Sequence, residues 1–374
     1  VTRRLAGAVE LIADLPALAA LVPEWLELWE RAPDATPFQR PEWLLPWWRQ
    51  FAGDALLVLA LRRDGRLAAL LPLYLRHEPP LRKLLPLGAG TTDYLDLLAA
   101  PGCDAEALQP LLDRLAGERA RWDLLDLQNL PAGARLLALA APEGWQDERI
   151  VEATCPVLPL DADPIALRRR LPWRHLRNGA NRAGRLGALT YHSPAEDELP
   201  GFLAELCCLH GARWAGRGEP GGVLADPAVR AWHAEALPVL ARAGLLRCHM
   251  MALDGRVVAA FYGLCAKGRL YAYIMGFDDS FERQSFGSLL LAHAIFSAAA
   301  EGARELHFLR GGEGYKYMWG AADRPLTTRK LRPPLPLPLA GEDRGEGRAA
   351  GSALTLPSLT RRAPPSPAGA GEGT

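Results

Sequence analysis

Lysine is nearly absent from this 374-residue chain: of 43 basic residues only Lys83, Lys267, Lys316 and Lys330 are lysines, and arginine supplies the rest. The 43 acidic residues bring the formal net charge to zero. Nothing in the global balance therefore draws the chain to DNA or to an anionic bilayer, and an anionic partner has to be attracted by a local cluster. The six cysteines show no C-x-x-C spacing, and adjacent Cys207 and Cys208 suit a disulfide framework poorly. They read as small apolar residues in a reducing compartment. Metal-ligand spacing is missing from the eight histidines, so no metal is expected. No uncharged apolar run approaches the ~20 residues of a membrane span. Glu10 and Asp14 also interrupt the N-terminal stretch that a secretory signal needs, which reads instead as the first strand and helix. The expectation is a soluble, cytoplasmic protein.

What is present is a repeat. Asp64-Gly65 and Asp254-Gly255 are each flanked by apolar runs and signal hairpins. Each hairpin follows a Pro-initiated, Trp-bearing helix, from Pro41 and from Pro227, and each precedes a strand, a helix and another strand. Leu108, Leu111, Leu112 and Leu115 make the helical stripe of the first copy, ahead of a strand at Leu124 to Leu127. Leu289, Ala292, Phe296 and Ala299 make that of the second, ahead of Leu306 to Leu309. The fold class expected is α/β, a mixed α+β sheet domain appearing twice, with domains at 1–163 and 164–332. From 333 to 374 the chain turns rich in Pro, Gly, Ala and Ser without aromatic residues and reads as a disordered tail.

The stretch from Gly276 to Gly320 carries the most chemistry. It reads as strand, turn, helix, strand, then a glycine loop holding Tyr315 and Lys316. A helix opening straight after a turn offers unpaired N–H groups and the positive end of its dipole to the phosphates of a nucleotide-like donor. Lys316, set between two tyrosines where arginine dominates elsewhere, is either chosen for its compact ammonium or a surface lysine. The helix start near Arg283, Gln284, Ser285 and Ser288 is free of acid, whereas its counterpart in the first copy begins with Asp104 and Glu106, which repel phosphate. The second copy is thus the expected donor site. Between the copies lie Arg168, Arg169, Arg170, Arg174, Arg177, Arg182 and Arg185 with no acidic residue among them. They are either a clamp for phosphates or an anionic polymer, or a solvated helix.

Ordered matches carry a family resemblance across most of residues 1–332: Gly90-Thr-Thr-Asp93-Tyr94, Gly276-Phe277-Asp278, Ser285-Phe286-Gly287, Phe308-Leu309-Arg310-Gly311, then Tyr315-Lys316 and Trp319-Gly320. The chain resembles the bacterial acetyltransferase-like family named for cellulose biosynthesis (the CelD or BcsL group), tandem relatives of the GNAT acetyltransferases and of the Fem peptidoglycan-bridge ligases. The resemblance implies two tandem GNAT-like domains, the first without its own donor. It also implies acetyl-CoA or another acyl-CoA, with its pantetheine arm beside Met275, Gly276 and Phe277 and its pyrophosphate near Gln284, Ser285, Phe286, Gly287 and Ser288. Leu289 departs from the glycine or alanine usual in that motif.

On this reading Asp93 or Asp278 is the base, Lys316 the oxyanion donor, and Tyr315 or Tyr317 the acid. Tyr94, Asp96, Arg213, Trp214, Arg310 and Glu313 hold the acceptor, a sugar or amine of a cell-surface polysaccharide precursor, with envelope-polysaccharide assembly machinery as a partner. Asp93 and Asp278 equally suit turn formers, and His210 and His307 suit satisfied core histidines. Two alternatives stay open: a Fem-like transferase using aminoacyl-tRNA, and a catalytically idle binding subunit.

Overall fold

A computed structural model describes residues 8–215 and 222–334; the expected tail lies, apart from its first two residues, outside them. The first half runs β1 (Ala8–Ile12), α1 (Leu15–Ala20), α2 (Val22–Arg31), α3 (Pro41–Phe51), β2 (Ala55–Arg63), β3 (Arg66–Glu78), β4 (Leu81–Pro86), β5 (Leu98–Ala99), α4 (Ala105–Gly117), β6 (Leu124–Pro131), α5 (Arg135–Ala138) and β7 (Gln146–Pro159). The second runs α6 (Pro164–Arg170), α7 (Trp173–Ala183), β8 (Leu189–His192), α8 (Leu199–Ala215), α9 (Pro227–Arg242), β9 (Leu246–Leu253), β10 (Arg256–Ala266), β11 (Arg269–Phe277), α10 (Phe286–Ala300), β12 (Glu305–His307), α11 (Gly314–Met318) and β13 (Ala322–Arg332). Both Asp-Gly turns take the left-handed backbone a two-residue hairpin needs, with φ 51° and 75° at Asp64 and Gly65, and 47° and 82° at Asp254 and Gly255.

All strands join one mixed sheet in the order β1-β2-β3-β4-β6-β13-β7-β12-β11-β10-β9-β8, with β5 beside β3. The halves exchange their last strands. β7, which ends the first half, pairs antiparallel with β12 of the second, and β13 inserts between β6 and β7, antiparallel to both. Neither stretch of sequence therefore completes a sheet by itself. On one face the repeated Trp-bearing helices α3 and α9 pack together, with the Trp43 and Trp232 ring centroids 4.7 Å apart and Trp232 Nε1 donating to Trp43 O at 3.3 Å. That core is continuous between the halves. A second core lies under α6, α7 and α10. α10 is buried on nearly all sides, with Leu290, Leu291 and Ile295 joining the expected stripe of Leu289, Ala292 and Ala299, because α6 and α7 cover it.

The exchanged strand is pinned by charge. Arg329 on β13 is fully buried and holds Asp147 of β7 through Nε and Nη2, each at 2.9 Å, while Nη1 donates to Leu136 O of α5. Removing the carboxylate strands a cation in the core, a far larger loss than that of an exposed pair. Asp147→Ala is expected to cost about 3 kcal/mol, read as a lower denaturant midpoint, while Arg76→Ala, in an exposed pair with Glu78, leaves the midpoint in place. Equal midpoints for both variants would show that the clamp is dispensable.

Candidate active site

β11 and β12 run parallel but pair over three residues only, Arg269 with Glu305, Leu270 with Leu306 and Tyr271 with His307. The strand expected over Leu306 to Leu309 stops at His307. Leu309 (φ 60°) and Gly311 (φ 116°) bend the chain away, and the N–H groups of Phe308 and Gly311 donate to Pro156 O and Thr154 O of β7, both at 3.0 Å. β11 continues through Ala272–Phe277 with β10 on one edge and no strand on the other among the described residues. Such an edge is a template for an extended, amide-bearing chain.

The open edge leads to the start of α10. Ser285 is left-handed (φ 57°, ψ 42°) and makes no side-chain cap, and the first turn holds no acid. The first N–H groups of a helix have no partner within it, and here neither a side-chain cap nor a first-turn carboxylate meets the dipole's positive end. A Cβ on Gly287 would lie 2.7 Å from the Phe277 ring, and the Arg213 guanidinium lies 4.5 Å from that ring's centroid. α7 closes over the preceding turn: a Cβ on Gly179 would sit 2.8 Å from Gln284 O. A Cβ on Gly276 would sit 2.7 Å from His210 N, so α8 rides directly on the strand, where Trp214 Nε1 donates to His210 Nε2 at 2.9 Å.

The matching cleft of the first half is filled. β4 and β6 pair over Lys83–Leu124 and Leu84–Leu125, and the segment after β4 then plugs the gap. Leu95 N donates to Asn129 O at 3.1 Å, Asn129 Nδ2 to Thr92 O at 3.3 Å, and Tyr94, Leu95 and Leu97 are buried. Between the plug, α3 and β3 lies a gap of about 10 Å³, room for no more than a water. α4 is capped by its own Asp104, whose Oδ1 accepts Ala107 N at 2.9 Å, with Glu106 in the first turn.

Polar groups from both halves meet behind the plug. Asp93 Oδ2 accepts Arg310 N at 3.2 Å, the Arg310 guanidinium approaches Asp93 Oδ1 at 3.5 Å, and Arg310 Nη1 donates to Asn129 Oδ1 at 3.3 Å. Tyr94 O–H lies 2.9 Å from His307 Nδ1, and His307 Nε2 lies 3.0 Å from Glu305, which also pairs with Arg324. Burial holds His307 below the usual imidazole range despite Glu305, and holds the Tyr94 hydroxyl well above the phenol range. A neutral imidazole then accepts from Tyr94 and donates to Glu305, whose carboxyl the His307 hydrogen bond and Arg324 hold down to about 2. Burial likewise pushes the adjacent Cys155 thiol up to about 12.

Residues 168–317 match the acetyltransferase (GNAT) domain family. That match begins in α6 and ends in α11, so it contains the open cleft and leaves the plugged one outside. No curated protein matches the chain. Among solved structures the chain resembles FemX (13% identity, TM-score 0.60, 82% of this chain and 95% of that one). It also resembles a conserved protein of unknown function from Bacteroides thetaiotaomicron (12%, 0.55, 87% and 100%) and a C-terminal DUF2156 domain from Agrobacterium fabrum (12%, 0.53, 84% and 91%). At these identities the likeness is one of fold: a mixed α/β protein with one large sheet, of the FemX-like type.

Most of the residues singled out in the sequence fall into two groups. Met275, Gly276, Phe277, Gln284, Ser285, Phe286, Gly287, Ser288, Arg213 and Trp214 gather around the end of β11 and the start of α10, although the missing side chains of Gly276 and Gly287 are already used by α8 and by Phe277. Asp93, Tyr94 and Arg310 share the interior network. Asp96 does not join it: its carboxylate caps α5, accepting Arg135 N and Leu136 N at 2.7 and 3.1 Å, and burial raises it to about 6. Asp278 is engaged by Arg256 at 2.6 Å and by Ser280. Tyr315 is 37% exposed beside Phe308, and desolvation with the Glu313 charge keeps its hydroxyl above the phenol range. Tyr317 donates to Asp323 at 2.8 Å. Gly179, Cys155 and Asn129 were not foreseen; only the small residue on the buried face of α7 had a signal, as a glycine inside an arginine-rich helix.

Lys316 is where expectation and structure part most. It is 2% exposed on α11, and its ammonium donates to Leu309 O, Arg310 O and Gly311 O at 3.2, 3.1 and 2.9 Å, with Glu313 at 2.8 Å. Three carbonyls and a carboxylate occupy every donor, so the residue staples the bend that opens the cleft. Lys316→Met should lower stability by about 3 kcal/mol by leaving those acceptors buried and unpaired, seen as a Tm lower by several degrees. An unchanged Tm with a large fall in kcat would instead return Lys316 to the oxyanion role.

Proposed function

We propose that this protein is an acyltransferase that takes its acyl group from an acyl-CoA, with acetyl-CoA the first candidate, bound in the second half alone. The pantetheine amides run along the open edge of Ala272–Phe277, and the pyrophosphate meets the N–H groups of Gly287 and Ser288. Arg213 adds positive charge on the far side of Phe277. The observation that carries this reading is the pairing of one open, acid-free cleft with one plugged, acid-capped cleft in a chain whose second half matches an acetyltransferase domain.

In the transfer, the acceptor's amine or hydroxyl attacks the thioester carbonyl and passes its proton to Asp93 or to solvent, the tetrahedral intermediate collapses, the C–S bond breaks, and the thiolate takes up a proton. Tyr315, protonated at neutral pH and partly exposed, is the candidate for returning that proton. Asp93 and Tyr94 remain candidates for the acceptor side. An acceptor drawn from a cell-surface polysaccharide rests on the sequence resemblance alone.

Ser288→Asp tests the donor site more cleanly than a change at Gly287, because Ser288 sits in the first turn of α10 and carries no Phe277 ring against its Cα. A carboxylate there suits the helix dipole but repels pyrophosphate. Calorimetry should show acetyl-CoA binding to the unaltered protein at one site, weakened at least ~10-fold in the variant with Tm unchanged or raised. Unaltered affinity would place the donor elsewhere.

A further inference from the structure

Residues 164–195 hold seven arginines and no Asp or Glu. They form α6, α7 and the edge strand β8, folded over α10. Leu167, Leu171, Leu176, Gly179 and Ala183 point into the core, and Arg168, Arg169, Arg170, Arg174, Arg177 and Arg185 are exposed. Among the described residues none of those six has an ion-pair partner. Arginines elsewhere do: Arg40 with Glu42, Arg62 with Glu24, Arg82 with Asp123, Arg247 with Glu301 and Arg324 with Glu305. The carboxylates that touch the stretch meet its backbone or His192 and none of these arginines: Asp163 caps α6, Asp254 accepts Ala188 N at 2.8 Å, and Glu198 accepts Ala195 N at 2.8 Å and lies 2.9 Å from His192 Nε2.

The same surface leaves apolar groups in water. Ile165 is 62% exposed, Leu186 47% and Tyr191 40%. Trp173 is half-buried under the Arg168 guanidinium, 3.7 Å from its ring centroid. Leu171, Pro172 and Trp173 floor an open cleft of about 650 Å³ rimmed by Arg174, His175 and Asn178. Unpaired cations repel one another, and exposed Ile and Leu cost hydration free energy. A nucleic acid would relieve the first cost and leave the second. An anionic bilayer relieves both, because arginine reaches lipid phosphates while Ile, Leu and Trp enter the interfacial layer.

We propose that α6 and α7 form a docking surface for an anionic phospholipid bilayer, on which the protein sits peripherally. Among the described residues no helix is long and apolar enough to cross a membrane. Because α7 lies on the turn before α10, docking sets the candidate donor site beside the lipid headgroups. The proposal does not depend on the donor being an acyl-CoA.

Vesicle sedimentation of the full chain tests it, comparing phosphatidylcholine vesicles with vesicles that also contain phosphatidylglycerol, at low and high salt. Binding should require phosphatidylglycerol and fall at high salt. The R169E/R170E/R174E variant should bind at least ~10²-fold more weakly. Ile165→Asp, which changes no arginine, should also weaken it, with both variants keeping the original Tm. Four results overturn the proposal: no vesicle binding, equal binding to both vesicles, binding unaffected by the triple variant, or capture of tRNA or heparin by the same arginines without vesicle binding.

Discussion

Because β13 is hydrogen-bonded to β6 on one edge and to β7 on the other, while β7 pairs with β12, each half of the chain closes its sheet with a strand of its neighbour. The exchange is fixed by Arg329, whose guanidinium is shut off from water and held by the Asp147 carboxylate and the Leu136 carbonyl. A buried cation of this kind adds little net stability and penalises every other register strongly. It also sets the line of the chain leaving β12. Phe308 and Gly311 follow β7 rather than β11, and this divergence opens the cleft beside Ala272–Phe277. The Lys316 crown then holds the bend with three carbonyls of the same turn, so the opening is a property of the closed sheet rather than of the helix that borders it.

The two halves present two such clefts, and the difference between them is electrostatic and steric. In the first half, Leu95 bonds to the edge of β6 and Tyr94 fills the gap, so strand edge and cavity are satisfied by the chain itself. Asp104 meets the helix N–H groups that would otherwise seek an anion. In the second half none of these substitutions has been made. The plug also serves the other side: Asp93 and Tyr94 reach across to Arg310 and His307, joining the filled cleft to the open one through charge-assisted and imidazole hydrogen bonds.

Much of this was legible in the sequence. The Asp-Gly hairpins, the Trp-bearing helices, the order of elements in each copy and the contrast between Asp104 with Glu106 and an acid-free α10 start all depend on local rules of turn chemistry, periodicity and dipole. The strand exchange was not legible, because β7 and β13 carry no local mark of which neighbour they will pair with, and register is decided by the assembled sheet. The partners of Lys316, Asp278 and Asp96 were not legible for a related reason. A rare or acidic residue at a strand end looks the same in sequence whether it faces a substrate or caps a turn, and only the partners distinguish the two: the crown of carbonyls, Arg256, and the start of α5.

The central claim is that a donor binds the second cleft and leaves the first untouched. Amide hydrogen exchange of the full chain with and without acetyl-CoA measures both clefts at once. The account predicts added protection at Phe286–Ser288 and along Ala272–Phe277, and no change in the segment 87–97 or at the start of α4. Protection appearing at α4 and the 87–97 segment, with α10 unaffected, would contradict it.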